Sequence, residues 1–226
     1  MMNRADFIAA LRAVGAERYH HLHPFHERMN RGELSSRAIK TWVRNRFYYQ
    51  KNIPRKDAAI LSNCPERAVR RIWMHRLIDH DGNHATPGGI EAWIRLAEAC
   101  GLNRQQLDDR PLPGVQFAVD AYLNFARTKP WPVAIASSLT EMFAPDLMAQ
   151  RLAAFQKFYT WIPDWGFDYC QNRIAQAQRD ADEALSITLE WCATTDLQRA
   201  AIEALGFKCN VLWSLLDAID AATTID

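Results

Sequence analysis

The chain has 226 residues and a mass of 25.9 kDa, with 49% hydrophobic and 11% aromatic residues, a composition that excludes an intrinsically disordered protein. Its 27 Lys and Arg against 26 Asp and Glu leave a formal charge of +1, so there is no global basic footprint for nucleic acid or for an anionic membrane surface. The five cysteines (Cys64, Cys100, Cys170, Cys192 and Cys209) are never spaced C-x-x-C and suit free thiols in a reducing cytoplasm, acid at Asp6 argues against a signal peptide, and no apolar run approaches membrane-spanning length.

Helical periodicity runs from end to end without alternating strands or Asn-Gly and Asp-Gly hairpin turns, so the expected fold class is all-α, one helical domain over 1–226. In chain order the predicted helices cover 5–15, 23–30, 35–51, 55–62, 65–80, 89–100, 115–128, 131–140, 146–159, 164–193 and 196–222. Pro65 fits a first helical turn, the Gly88-Gly89 pair breaks the chain before Ile90, and Thr195 with Gln198 fits a capping box. Pro111, Pro113 and Gly114 mark a loop, and no repeat or low-complexity tract divides the sequence.

The apolar stripes of these helices are broken at helical spacing by Arg, Lys, His, Tyr or Gln. Ile39, Trp42, Arg46, Tyr49, Gln50 and Ile53 recur at three- and four-residue steps and share one face. The pattern returns in Val69, Ile72, Trp73, Arg76 and His80, in Val115, Ala118, Tyr122 and Phe125, and in Tyr169, Arg173 and Gln176. The last helix carries Ala201, Leu205, Lys208, Leu212, Leu215 and Ile219, an apolar seam with one lysine in its middle. An unpaired ion in a dry core costs several kcal/mol, so these cations must face acids, water or a ligand. Inward acids are scarcer, with Glu141, Asp79 and Asp180 the best candidates. The expected interior is therefore a cavity with surplus positive charge, and its natural guest is a small anion, a polycarboxylate or a phosphate. The competing reading is that some of these side chains reach the surface or pair with acids the pattern does not place.

Four of the seven histidines fall in Tyr19-His20-His21-Leu22-His23-Pro24-Phe25-His26, which invites a metal reading. The spacing does not support it: Glu17 to His20 is the one good Glu-x-x-His match, and Asp81 to His84 is a poor second. No metal site is expected; one histidine of the group enters the pocket. Asp79-His80-Asp81-Gly82 ends a helix whose inner stripe has already delivered Arg76, so His80 is either a buried, acid-oriented acid/base group or a cation at a helix C-terminus. Tyr169 and Arg173 stand one turn apart and can address the same small group. P-loop, G-x-G-x-x-G, G-x-S-x-G and H-E-x-x-H signatures are absent, and Ser137-Ser138 has no evident base partner.

Several blocks in register carry a resemblance that spans nearly the whole chain: Asn45-Arg46-Phe47-Tyr48-Tyr49-Gln50, Ile53-Pro54-Arg55-Lys56-Asp57-Ala58-Ala59-Ile60, Asp79-His80-Asp81-Gly82, Gly88-Gly89-Ile90-Glu91-Ala92-Trp93, Leu112-Pro113-Gly114-Val115, Phe117-Ala118-Val119-Asp120-Ala121-Tyr122 and Ser137-Ser138-Leu139-Thr140-Glu141. With them the chain resembles the pyrroloquinoline-quinone synthase family. That resemblance implies a compact haem-oxygenase-like bundle, a cytoplasmic homodimer, and an oxidase that uses O2 without metal or redox cofactor. The implied substrate is a bicyclic tricarboxylate, closed and oxidised to the quinone with release of hydrogen peroxide; other quinone-biosynthesis proteins are possible partners. It would make Arg46, Gln50, Lys56, Arg76, Tyr122, Thr140, Glu141 and Arg151 substrate-binding residues, and Tyr49 joins them from the Arg46 stripe. His80, Tyr169 and Arg173 would surround oxygen, while His20 and Lys208 would move protons or hold substrate.

One departure stands out. Family members read Phe-Ala-Pro-x-x-His after the Thr-Glu pair, whereas this chain has Phe143-Ala144-Pro145-Asp146-Leu147-Met148, and the segment from Asn103 to Arg110 is slightly short. A thioether cannot donate a proton, so a step that used that imidazole must be rerouted. Two other readings stay open at this stage: an iron-dependent haem-oxygenase-like oxidase, and a non-catalytic carrier of the quinone or its precursor.

Overall fold

In the computed structural model, which describes residues 1–224, the chain is a stack of α-helices joined by short turns. The helices are α1 Arg4–Arg18, α2 Pro24–Asn30, α3 Ser36–Gln50, α4 Ile53–Asn63, α5 Arg67–Trp73, α6 His75–Asp81, α7 Gly88–Ala99, α8 Arg104–Asp108, α9 Pro113–Thr128, α10 Trp131–Ala136, α11 Ala144–Phe158, α12 Asp168–Trp191 and α13 Thr195–Thr224. Short 3₁₀ segments cover His20–Leu22, Ser137–Phe143 and Asp164–Phe167. No strand forms among the described residues, as the periodicity predicts.

Local chemistry explains most helix starts. Asn3 and Ser35 accept the amides of Asp6 and Ala38 at 2.9 and 3.1 Å, so α1 and α3 begin on side-chain caps. α8, unpredicted, forms around a reciprocal capping box in which Asn103 and Gln106 each accept the other's amide. The box expected at Thr195 does not form. Thr194 caps α13 by accepting the Leu197 amide at 3.2 Å, and Gln198 instead clasps both backbone groups of Met2.

Three predicted helices are divided. The helix expected over 65–80 begins only at Arg67, after Pro65, and breaks at Met74, where a Leu77-to-Met74 bond of 3.1 Å tightens the turn. Ile72, at the edge of the expected stripe, is 37% exposed, while Val69, Trp73, Arg76 and His80 are inside. The helix expected over 131–140 ends at Ala136, where the Ser137 hydroxyl donates to the Ala134 carbonyl at 2.6 Å. The 3₁₀ period of three then aligns Ser138 with Glu141. The helix expected from 164 opens with a 3₁₀ turn before α12.

α13 lies at the centre, against α1, α9, α10 and the 137–143 segment, and α12 packs on α10, α11 and the same segment. Its Ala201, Leu205, Lys208, Leu212, Leu215 and Ile219 are all buried, which bears out the predicted seam. Trp42 and Trp93 meet at 5.2 Å between ring centroids, and the Trp93 indole donates to the Val43 carbonyl at 3.0 Å. The α6–α7 turn is set by Gly82 and Gly88, both at positive φ; a Cβ at Gly82 would stand 2.6 Å from the Pro87 carbonyl oxygen. That turn seats the end of α6, and so His80, beneath the start of α7.

Candidate active site

The polar side chains of α3, α6, α11, α12 and the 137–143 segment converge on an internal cavity of about 40 Å³. It is lined by His20, Arg46, Tyr49, His80, Thr140, Glu141, Met148, Tyr169 and Arg173, all expected from sequence, together with Tyr19, Ile53, Ala144 and Leu212, which were not. The other expected residues form the layer behind. Gln50 accepts the Tyr169 hydroxyl at 3.1 Å, and Lys208 donates to the Tyr49 hydroxyl at 2.6 Å. Arg151 donates to His26 Nε2 at 3.0 Å and lies 3.9 Å from Met148 Sδ. Arg76 reaches Glu141, whereas Lys56 and Tyr122 meet around Ser138 and do not reach the cavity.

The buried cations divide into two sets. Arg76 and Arg173 share Glu141 and Asp180 at 2.7 to 3.4 Å, and Asp57 joins by holding Lys56 at 2.5 Å and the Trp73 indole at 2.9 Å. For this set the pairing reading holds, and Asp57 is the acid that sequence reasoning missed. Its signal was present, because Ile53, Asp57 and Ile60 form one buried stripe on α4. Asp79 is only partly inward and pairs with Arg179. Burial alone would raise the Asp180 carboxyl, but the guanidiniums of Arg76 and Arg173 hold it down at about 2.

The second set has no carboxylate partner among the described residues. Arg46, Arg151 and Lys208 are 8%, 2% and 1% exposed, so these basic groups are buried with no acid to compensate them. Each rests on aromatic faces instead: Arg46 on Tyr49 at 4.0 Å, Arg151 on Trp42 at 4.9 Å, and Lys208 on Tyr122 at 3.6 Å. Burial, followed by the charges of Lys56 and Arg46, pushes the Lys208 amine well below the usual lysine range. The surplus positive interior predicted from the stripes is present.

His20, His26 and His80 are tuned toward neutrality. Burial, then Arg173 and Arg76, pushes His80 well down, and burial, then neighbouring His26 and Arg46, does the same to His20. His26 Nδ1 faces the His20 carbonyl at 2.9 Å while its Nε2 takes the Arg151 donor, which fixes one neutral tautomer. His23 is spent on structure, accepting the Phe25 amide and facing Asp217 at 3.1 Å. Among the described residues no three His, Cys, Asp or Glu side chains stand where they could hold a metal ion.

Around the cavity, His20 Nδ1, Arg46 Nη1, Gln50 Nε2, His80 Nδ1 and Arg151 Nε are buried without a hydrogen-bond partner. Buried polar groups are normally paired, so five such nitrogens in one place call for a ligand rich in acceptors.

This helical scaffold with a buried cationic pocket defines the class, and residues 8–218 match the family model described as TENA/THI-4/PQQC. The chain belongs to that family. A protein of Pseudomonas aeruginosa named pyrroloquinoline-quinone synthase is 53% identical over 228 residues, covering 100% of this chain and 90% of that protein. Among solved structures, a TenA homologue of Pseudomonas syringae superposes with a TM-score of 0.79 at 13% identity, covering 97% of this chain and 96% of that one. A domain from Shewanella denitrificans described as having a haem-oxygenase-like fold gives a TM-score of 0.78 at 11% identity, with 98% and 91% covered. The fold is haem-oxygenase-like.

Proposed function

We propose that the protein catalyses the last step of pyrroloquinoline quinone formation, closing a ring in a bicyclic tricarboxylate precursor and oxidising it with O2 to the quinone and hydrogen peroxide. The observation that carries this reading is the set of unpartnered buried nitrogens beside Arg46, Arg151 and Lys208, three basic side chains without a carboxylate. A planar polycarboxylate supplies acceptors and negative charge together. The 53% identical relative bears the corresponding name.

In this reading Arg46 and Arg151 bind ligand carboxylates, and Gln50 and Thr140 add hydrogen bonds. Lys208, whose amine is held toward neutrality, accepts a proton once the Tyr49 hydroxyl, which now accepts from it, turns to donate. The neutral His80 imidazole accepts a proton from the ligand, leaving an electron-rich anion beside oxygen. Charge then develops on reduced oxygen, and the Tyr169 hydroxyl and the Arg173 guanidinium stand ready to stabilise it. No metal or organic cofactor takes part, because the ligand is itself the electron source. A cavity of about 40 Å³ holds only a few water-sized molecules, so the precursor enters by separation of the helices around it, which close again to exclude water. We place the protein in the cytoplasm as a homodimer; no helix among the described residues is long and apolar enough to cross a membrane.

Mixing metal-free protein with the bicyclic precursor, while recording oxygen uptake and absorbance, tests the reading. Uptake with peroxide and the quinone spectrum is expected. A bound-ligand spectrum without uptake makes the protein a carrier, and activity that returns only with added iron makes it a metal-dependent oxidase.

A further inference from the structure

Tyr169 and Arg173 form a wall between two cavities. One is the internal cavity described above; the other is a cleft of about 110 Å³ between the starts of α7 and α12, lined by the same two residues. The outer rim of the cleft is exposed and charged, with Arg95 and Asp168 paired at 3.0 Å and Asp79 held by Arg179. Its other side is Gly88, Gly89 and Ala92 of α7.

Gly89 brings the cleft to the chemistry. A Cβ at that position would stand 3.3 Å from His80 Nδ1 and 3.7 Å from the Tyr169 ring. A methyl there would press on a buried imidazole nitrogen that has no partner. The cleft has room for several molecules the size of water, each needing about 10–15 Å³, and offers a tricarboxylate no unpaired cation, because Arg95 is held by Asp168 and Arg173 by Glu141 and Asp180.

Resting on the oxidase reading above, we propose that this cleft is a second opening of the active site, which passes hydrogen peroxide and water but not the organic ligand. Each two-electron oxidation moves two electrons and two protons from the organic molecule to O2 and yields one H2O2. When one bound molecule is oxidised more than once, peroxide must leave while the internal cavity is still filled. The outlet therefore has to lie on a side the organic molecule does not occupy, and the cleft behind Tyr169 and Arg173 is such a side. Thr86, Asn172 and Gln176 offer it donors and acceptors that suit peroxide better than apolar O2.

The test compares wild type with Gly89→Ala, which narrows the cleft beside His80, and with Asn172→Trp, which plugs its exposed rim without disturbing the core. Oxygen uptake is followed with an electrode, external peroxide with a peroxidase-coupled dye, and affinity for the quinone by titration. In the wild type, uptake and external peroxide coincide. In both variants peroxide lags behind uptake, with turnover lowered at least about fivefold and quinone affinity unchanged. Variants that release peroxide without a lag at the wild-type rate overturn the proposal. A loss confined to kcat/KM for O2 assigns the cleft to oxygen entry and overturns it too, as does weakened quinone binding, which places the organic ligand there. Absence of oxygen uptake by the wild type refutes the oxidase reading and the outlet with it.

Discussion

His80 is held in the neutral form by burial and by two guanidiniums, and neither of its ring nitrogens makes a hydrogen bond within the protein. A side chain so costly to leave unpaired is available for chemistry. His80→Ala is expected to keep the fold and ligand affinity while slowing oxidation by about 10²–10⁴-fold, the usual worth of a positioned acid/base. Oxygen uptake beside a quinone titration separates the two effects, and near-normal turnover removes His80 from the mechanism. Met148 is the reverse case, a residue that cannot transfer a proton yet lines the cavity and sits against Arg151. Met148→His should leave quinone affinity within about threefold, less than 1 kcal/mol, and alter the rate or stopping point of oxidation. Unchanged rate and product would make position 148 a filler. At this scale the sequence was most legible where a polar residue interrupts an apolar stripe, as at Arg46, His80 and Lys208. At Asp57 the stripe signal from Ile53 and Ile60 was masked by the charge run Arg55-Lys56-Asp57, which resembles a solvated face. Tyr19 gave no signal, because a 3₁₀ turn rather than a helix carries the neighbouring histidines.

The α6–α7 corner shows what elements contribute beyond their stripes. Period-3.6 patterning located nearly every helix, but it could not show the break at Met74 or the 3₁₀ turn at Ser137, because both depend on local bonds that leave the apolar count unchanged. These breaks matter to the site. The first directs Trp73 and Arg76 toward Asp57, and the second aligns Ser138 and Glu141 with Lys56 and the two arginines. Gly82 is the most constrained point, with φ 79° and ψ −176°, a region open essentially to glycine alone. Gly101 has a similar φ of 79° but a Cβ there would meet only Lys40 Nζ at 3.5 Å. Gly101→Ala should cost about 1–2 kcal/mol, the penalty of the backbone conformation itself. Gly82→Ala adds a clash with the Pro87 backbone and should cost more, about 3 kcal/mol or above, with oxidation falling further than stability because His80 is displaced. Urea midpoints for the two variants, each beside its oxygen-uptake rate, check both the order and the coupling.

Over the whole molecule, the uncompensated cations and neutral histidines make stability and ligand affinity respond to pH in opposite ways. His20, His26 and His80 all bind a proton less readily in the folded protein than at the ordinary value of 6.5. The unfolded chain therefore takes up more protons as pH falls below 6.5, and these histidines withdraw stability from that point downward, adding to the loss that the depressed Lys208 amine causes from its ordinary value of 10.5 down. The slope approaches about 1.4 kcal/mol per pH unit for each histidine. Above 6.5 these groups are neutral in both states and contribute no slope. A polycarboxylate in the cavity reverses the local balance, because carboxylates beside His20 and His80 favour the imidazolium that Arg46 and Arg173 oppose. Their pKa values then rise on binding, protons are taken up with the ligand, and affinity increases as pH falls through the raised values. Urea midpoints at pH 7.5 and 5.5, with and without saturating quinone, read both trends at once: the ligand-free midpoint should drop at pH 5.5 and the shift produced by the ligand should widen. A ligand shift independent of pH would mean that the carboxylates lie against the arginines alone, away from both histidines.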